Sequence, residues 1–121
     1  MTDFPQLASM VRNNRVKELE AIVDDFESKV SLDQEEEGTG NTLLIVACQN
    51  GNKRICKILL RRGASINKRT KSGNSCLHFC FAFGFRELGE YLIEKGADES
   101  MRNVDGLTCY EGLSGESLKD L

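Results

Sequence analysis

The chain has 121 residues, enough for one domain with a modest core. Forty per cent of them are apolar and 29 % are charged, which fits an ordinary water-facing protein, and no stretch approaches the roughly 18 consecutive apolar residues of a membrane span. A net charge of only −3 creates no overall field that demands a nucleic-acid partner.

The charge is banded along the chain. Glu18 to Glu37 holds nine acids against the single base Lys29. Gly38 to Arg86 holds nine bases and no acid, and Glu87 onward holds nine acids against three bases. The opening MTDFPQLASM lacks the basic flank and apolar run of a secretory signal. Five cysteines, an odd number without a CxxC pair, then read as reduced thiols in a reducing compartment. The expectation is a cytoplasmic protein, with the nucleus left open.

In chain order, a first helix is expected from about Pro5 to Arg12, with Leu7, Met10 and Val11 inward. Leu19, Ile22 and Val23 form an i, i+3, i+4 triad on a second helix. DQEEEGTG follows as a polar connector. Leu43–Cys48 is a short apolar run led by Thr42, a good N-cap hydroxyl. Ile55, Ile58 and Leu59 repeat the triad, and Gly63 suits the left-handed position that ends a helix. After the connector SINKRTKSGN the order recurs: Ser75 leads Cys76–Phe81, Leu88, Tyr91 and Leu92 form the triad, and Gly96 ends it.

The recurrence has a period of 33. Gly40, Gly51, Gly63 and Ala64 return as Gly73, Gly84, Gly96 and Ala97, and Gly106 lies 33 past Gly73. Thr42, Ser75 and Thr108 share one phase. Each unit reads as helix, turn, helix, loop. The first triad lies 36 residues before the second, so its connector is about three residues longer. SGESLKDL, after Leu113, is too short for a full second helix.

These residues resemble the ankyrin-repeat family, whose first helix opens T-P-L-H-x-A. The matching stretches are TLLIVA at 42–47, SCLHFC at 75–80 and TCYEGL at 108–113. The family proline is replaced by Leu43, Cys76 or Cys109, and histidine occurs once. The resemblance implies an all-α solenoid of stacked helix-turn-helix units with polar hairpin-like connectors. It divides the single domain 1–121 into repeats at about 5–38, 39–71, 72–104 and a partial 105–121. End units of such stacks need polar outer faces, and the acidic first repeat fits a cap.

The one histidine sits in Cys76-x-His78-x-Cys80. At 100° per residue the two cysteines share a helix face while His78 points about 200° from Cys76. The three cannot converge on one ion, and a Cys–His nucleophile needs both side chains within hydrogen-bond reach. Cys80 reads instead as a small buried residue like Ala47. Family similarity implies that His78 bonds locally to brace adjoining repeats. No phosphate-binding glycine loop is present, GTGN reads as a connector tip, and Glu35–Glu37 read as a solvated run. Neither a catalytic residue nor a cofactor is expected.

Similarity to the family implies a protein-binding module with a concave face built from connector tips and first helices. By phase, the tips are Glu36, Gly38, Thr39 and Asn41, then Arg69, Lys71, Ser72 and Asn74, then Arg102, Val104, Asp105 and Leu107. The first-helix positions are Gln49 and Asn50, then Ala82 and Phe83. Phe83 is an apolar residue at a position expected to be exposed, and buried aromatics anchor many interfaces. Asn67–Lys71 is a basic loop suited to a carboxylate-rich partner. Arg54, Lys57 and Arg61 are expected on the convex side, serving solubility. The expected partner is a protein or peptide, with an acidic segment as one option, and the role is that of an adaptor, a scaffold subunit or an occluding inhibitor. Nucleic-acid binding through the basic band Lys53–Arg86 is the alternative. A membrane partner is not expected.

Overall fold

The computed structural model describes residues 3–25 and 31–113. The expectation for SGESLKDL falls on residues outside that range. Six helices follow in order: α1 (Phe4–Arg12), α2 (Val16–Val23), α3 (Leu43–Gln49), α4 (Lys53–Arg61), α5 (Cys76–Ala82) and α6 (Arg86–Glu94). No strand occurs among the described residues. The architecture is an all-α repeat solenoid.

Polar caps set the helix starts. Asp3 accepts the Gln6 amide at 3.1 Å while the Gln6 side chain accepts the Asp3 amide at 3.2 Å. Thr42 accepts the Ile45 amide at 3.3 Å, and Asn52 accepts the Ile55 amide at 3.1 Å. At the far ends of α4 and α6, Gly63 and Gly96 take up φ of +94° and +104°, as their place in the sequence implies.

Burial follows the stacking. In α3 every residue from Leu43 to Cys48 is buried, and in α5 every residue from Cys76 to Cys80. α3 has no solvated stripe because α1 and α5 pack on either side of it, and α5 is covered by α3 and α6. The outer helices keep one apolar face each: Ile55, Cys56, Ile58 and Leu59 on α4, and Leu88, Gly89 and Leu92 on α6. In α1 the buried face is Phe4, Leu7, Ala8 and Val11, with Met10 only half-buried. The expected inward triad of α2 holds for Leu19 and Val23, while Ile22 is half-buried. After α6 the chain reaches a single turn at Thr108–Glu111, closed by the Glu111 amide on the Thr108 carbonyl at 3.0 Å.

The convex side carries the charge bands as contacts between repeats. Arg61 meets Glu20 and Asp24 at 3.4 Å each, Arg62 meets Asp24 at 3.4 Å, and Lys53 meets Glu87 at 3.6 Å. Arg61 therefore does more than keep the surface soluble: it ties α4 to α2. Such exposed pairs contribute only about 0–1 kcal/mol each. The Tyr91 ring gathers the ammonium groups of Lys53, Lys57 and Lys95 at 5.0, 5.4 and 5.6 Å from its centroid.

Candidate functional site: the row of connector tips and inner helices

Each connector ends in a hairpin-like finger closed by two backbone bonds, the first finger being one residue longer than the other two. Glu36 and Asn41, Thr70 and Asn74, and Asn103 and Leu107 are joined amide to carbonyl at 2.8, 3.0 and 3.0 Å. Gly40, Gly73 and Gly106 close the turns onto Glu36, Thr70 and Asn103. The fingers are laced side by side: the Lys71 amide donates to the Thr39 carbonyl at 2.9 Å, and the Val104 amide to the Ser72 carbonyl at 3.0 Å. The bases of the connectors are tied as well. Asp33 accepts the amide and hydroxyl of Ser65 at 2.8 and 2.7 Å, and Asn67 accepts the Asp98 amide at 2.8 Å. Those Ser65 bonds hold the Asp33 carboxyl below its usual range.

Several tip residues expected on the binding face are absorbed by this framework. Asn41 is buried; it donates to Glu36 at 3.4 Å and accepts from Gln49 at 3.3 Å. Asn74 is fully buried and accepts from Asn103 at 3.0 Å. Asn41 and Asn74, each just after a turn glycine, turn inward onto side-chain partners, while Asn103, at the start of the third finger, accepts the amides of Asp105 and Leu107 within its own turn. Glu36 is half-buried and holds Thr39 at 2.8 Å and Arg12 at 3.3 Å. Partial burial raises its carboxyl, and the bonds from Thr39, Arg12 and Asn41 outweigh that and leave it lowered. Ser72 is half-buried with its carbonyl engaged, and the half-buried Leu107 gives its carbonyl to His78.

Arg69, Lys71, Val104, Asp105, Asn50, Ala82 and Phe83 remain exposed. Gln49 is half-buried. Arg102 is exposed but steered by the Gly106 carbonyl at 2.7 Å and by Glu111 at 3.5 Å. Between the second and third fingers lies a hollow of about 580 Å³ that brings together Lys68, Arg69, Lys71, Arg102 and Val104. Among the described residues, no carboxylate forms an ion pair with Lys68, Arg69 or Lys71. Phe83, 39 % exposed, ends α5 and packs its ring against Phe79 at 6.1 Å and Phe85 at 6.4 Å. Phe79 is buried, whereas Phe81 and Phe85 are only half-buried.

His78 is fully buried and spans two repeats. Its Nδ1 lies 3.1 Å from the Ser75 amide and 2.9 Å from the Ser75 hydroxyl, and its Nε2 lies 2.8 Å from the Leu107 carbonyl. The amide must donate, so Nδ1 accepts and Nε2–H donates. Burial holds the imidazole below its usual pKa and keeps it neutral.

The cysteines are arranged more closely than their spacing suggests. Cys48 Sγ lies 3.9 Å from Cys56 Sγ, and the Cys76 and Cys80 thiols also face Cys48. All five are free and buried. Burial and the neighbouring thiols push Cys48 well above the ordinary thiol range, and burial pushes Cys109 up to about 11. A thiolate is therefore disfavoured at both. No group of three or more His, Cys, Asp or Glu able to hold a metal is found among the described residues. None of their helices is long and apolar enough to cross a membrane.

Residues 7–103 match the family model for ankyrin repeats, in three copies. The chain is 34% identical over 106 residues to the BRCA1-associated RING domain protein 1 of Caenorhabditis elegans, across 87% of this chain and 14% of that one. It is 37% identical over 78 residues to protein phosphatase 1 regulatory subunit 27 of Mus musculus, across 64% and 50%. It is 39% identical over 72 residues to the ADP-ribosylation factor GTPase-activating protein AGD2 of Arabidopsis thaliana, across 60% and 9%. The chain thus spans half or less of each of these relatives. The crystal structure of the ankyrin repeat domain of Bcl-3, described as a member of the IkappaB protein family, superposes with a TM-score of 0.79 at 25% identity, covering 95% of this chain and 49% of that one.

Proposed function

The chain belongs to the ankyrin-repeat proteins, and on that premise we propose that it is a non-enzymatic module that binds a protein or peptide carrying an acidic segment along its fingers and inner helices. Ankyrin repeats are in general protein–protein interaction modules. The observation that carries the finer reading is the hollow between the second and third fingers. Four cationic side chains converge there, and three of them lack an ion-paired carboxylate among the described residues. The exposed ring of Phe83, on the inner-helix row, supplies an apolar anchor. Of the tip residues, Arg69, Lys71, Arg102, Val104 and Asp105 are those a partner would meet. The name of one relative, a regulatory subunit of protein phosphatase 1, supports a role as a subunit, adaptor or occluding inhibitor. The nucleic-acid reading has less support, because Lys53, Arg61 and Arg62 are committed to carboxylates on the convex side.

The test is affinity capture by the wild type and by a Phe83→Ala, Arg69→Glu, Lys71→Glu variant, with a glutamate-rich peptide titrated at low and high salt. Binding to the wild type should weaken with salt, and the variant should bind at least roughly tenfold less. Equal binding by both proteins would reject this surface.

A further inference from the structure

The repeat plane past α6 holds a second surface, on the opposite edge of α5 and α6 from the inter-repeat stack. Phe81, Gly84, Arg86, Glu90, Ile93 and Tyr110 line a hollow of about 600 Å³ there. Phe81 stacks on Tyr110 at 5.0 Å, and Tyr110 is 58 % exposed.

The same place one repeat earlier is occupied, and its occupant shows what the surface takes. Thirty-three residues before Gly84 is Gly51, and the Phe85 ring fills the notch above it so closely that a Cβ there would lie 2.7 Å from the ring. Thirty-three residues before Arg86 is Lys53, and Glu87 bridges to it at 3.6 Å. So the helix α6 enters the stack with an aromatic residue on the glycine and, two residues on, an acid on the base. Among the described residues, both receptors are unfilled at the outer edge: a Cβ on Gly84 would meet none of them within 4 Å, and Arg86 pairs with Glu90 of its own helix, at 3.3 Å.

We propose that this edge is a docking site for an amphipathic helix of a partner protein that begins aromatic-x-acid, seating its ring over Gly84 and its carboxylate on Arg86, with its apolar face on Phe81, Ile93 and Tyr110. The docked helix continues the interface that already joins the repeats. A second copy stacked head to tail does not fit: the residue just before α2, at the place of Phe85, is the exposed Arg15, and Lys17, at the place of Glu87, would meet Arg86 as a like charge. Within the sequence, Leu118 and Asp120 stand 33 residues after Phe85 and Glu87, so the chain's own Leu118–Leu121 is the competitor that the test must separate.

The probe is a synthetic peptide with the sequence of residues 85–95, hydrocarbon-stapled through the positions of Glu90 and Glu94 to hold it helical. It is titrated by fluorescence anisotropy against the full chain and against the chain ended after Leu113, both checked by circular dichroism. Saturable binding to both is expected, weakened at least about tenfold by Phe85→Ala in the peptide or Ile93→Glu in the protein. Arg86→Glu should weaken it as well, and the peptide change Glu87→Lys should restore it. Phe83→Ala should leave it unchanged, which separates this surface from the finger groove. The proposal is overturned by no saturable binding to either protein. It is also overturned by full binding to Ile93→Glu, or by binding to the shortened chain alone, which would assign the seat to the chain's own C-terminal residues.

Discussion

Replacing His78 with alanine tests the link that joins α5 to the third finger. The imidazole satisfies two backbone groups, the Ser75 amide and the Leu107 carbonyl. Ser75 is buried, so its amide would be left without a partner at a cost of about 1–3 kcal/mol. The Leu107 carbonyl keeps the Asn103 amide, at 3.0 Å, so only the net value of one bond, about 1 kcal/mol, is lost there. The expected loss is then about 2–4 kcal/mol, before any void left by the ring is counted. Urea denaturation followed by circular dichroism measures it. The same pair of proteins gives a pH test. Because burial lowers the folded-state pKa of His78, the folded chain binds fewer protons than the unfolded one. The contribution of the neutral ring is whole above the unfolded value of about 6.5 and is lost as pH falls from there through the folded value. The wild type should therefore lose more stability than His78→Ala between pH 7.5 and 5.5. Asp33, Glu36 and Glu111, whose carboxyl pKa values are lowered, titrate below that window. A loss under about 1 kcal/mol, or identical pH dependence in the two proteins, would refute a bracing role for the neutral imidazole.

Packing sets two more outcomes. Gly51→Ala and Gly84→Ala both place a side chain at positive φ, +65° and +81°, at a cost of about 1–2 kcal/mol each, but only the first drives a methyl into the Phe85 ring. Thermal melts should show Gly51→Ala as the worse by about 1–3 kcal/mol, and Phe85→Ala should erase the difference; equal losses in the two would remove Phe85 from the account. The five buried thiols should react slowly with Ellman's reagent in the native state and fast in denaturant, Cys48 among the last. A native burst of one equivalent would instead expose an activated cysteine.

The 33-residue period, the Thr42 cap and the triads of α4 and α6 were open to reading in the sequence, because each is a local signal with a fixed spacing. The acidic and basic bands were legible too, although their consequence, outer helices bridged from repeat to repeat, needed the stack. The roles of Asn41 and Asn74 were not readable: phase places them at the tip, and only their contacts in the stack, Glu36 and Gln49 for Asn41 and Asn103 of the next finger for Asn74, turn them inward. The meeting of Cys48 with Cys56 was equally hidden, since the two lie on different helices and are brought together by the way α3 packs on α4. Periodicity fixes which residues share a face, because a helix turns through the same angle at every step. Which of those faces is filled depends on the next repeat, and so the notch over Gly84, open among the described residues, became visible only beside the filled one over Gly51.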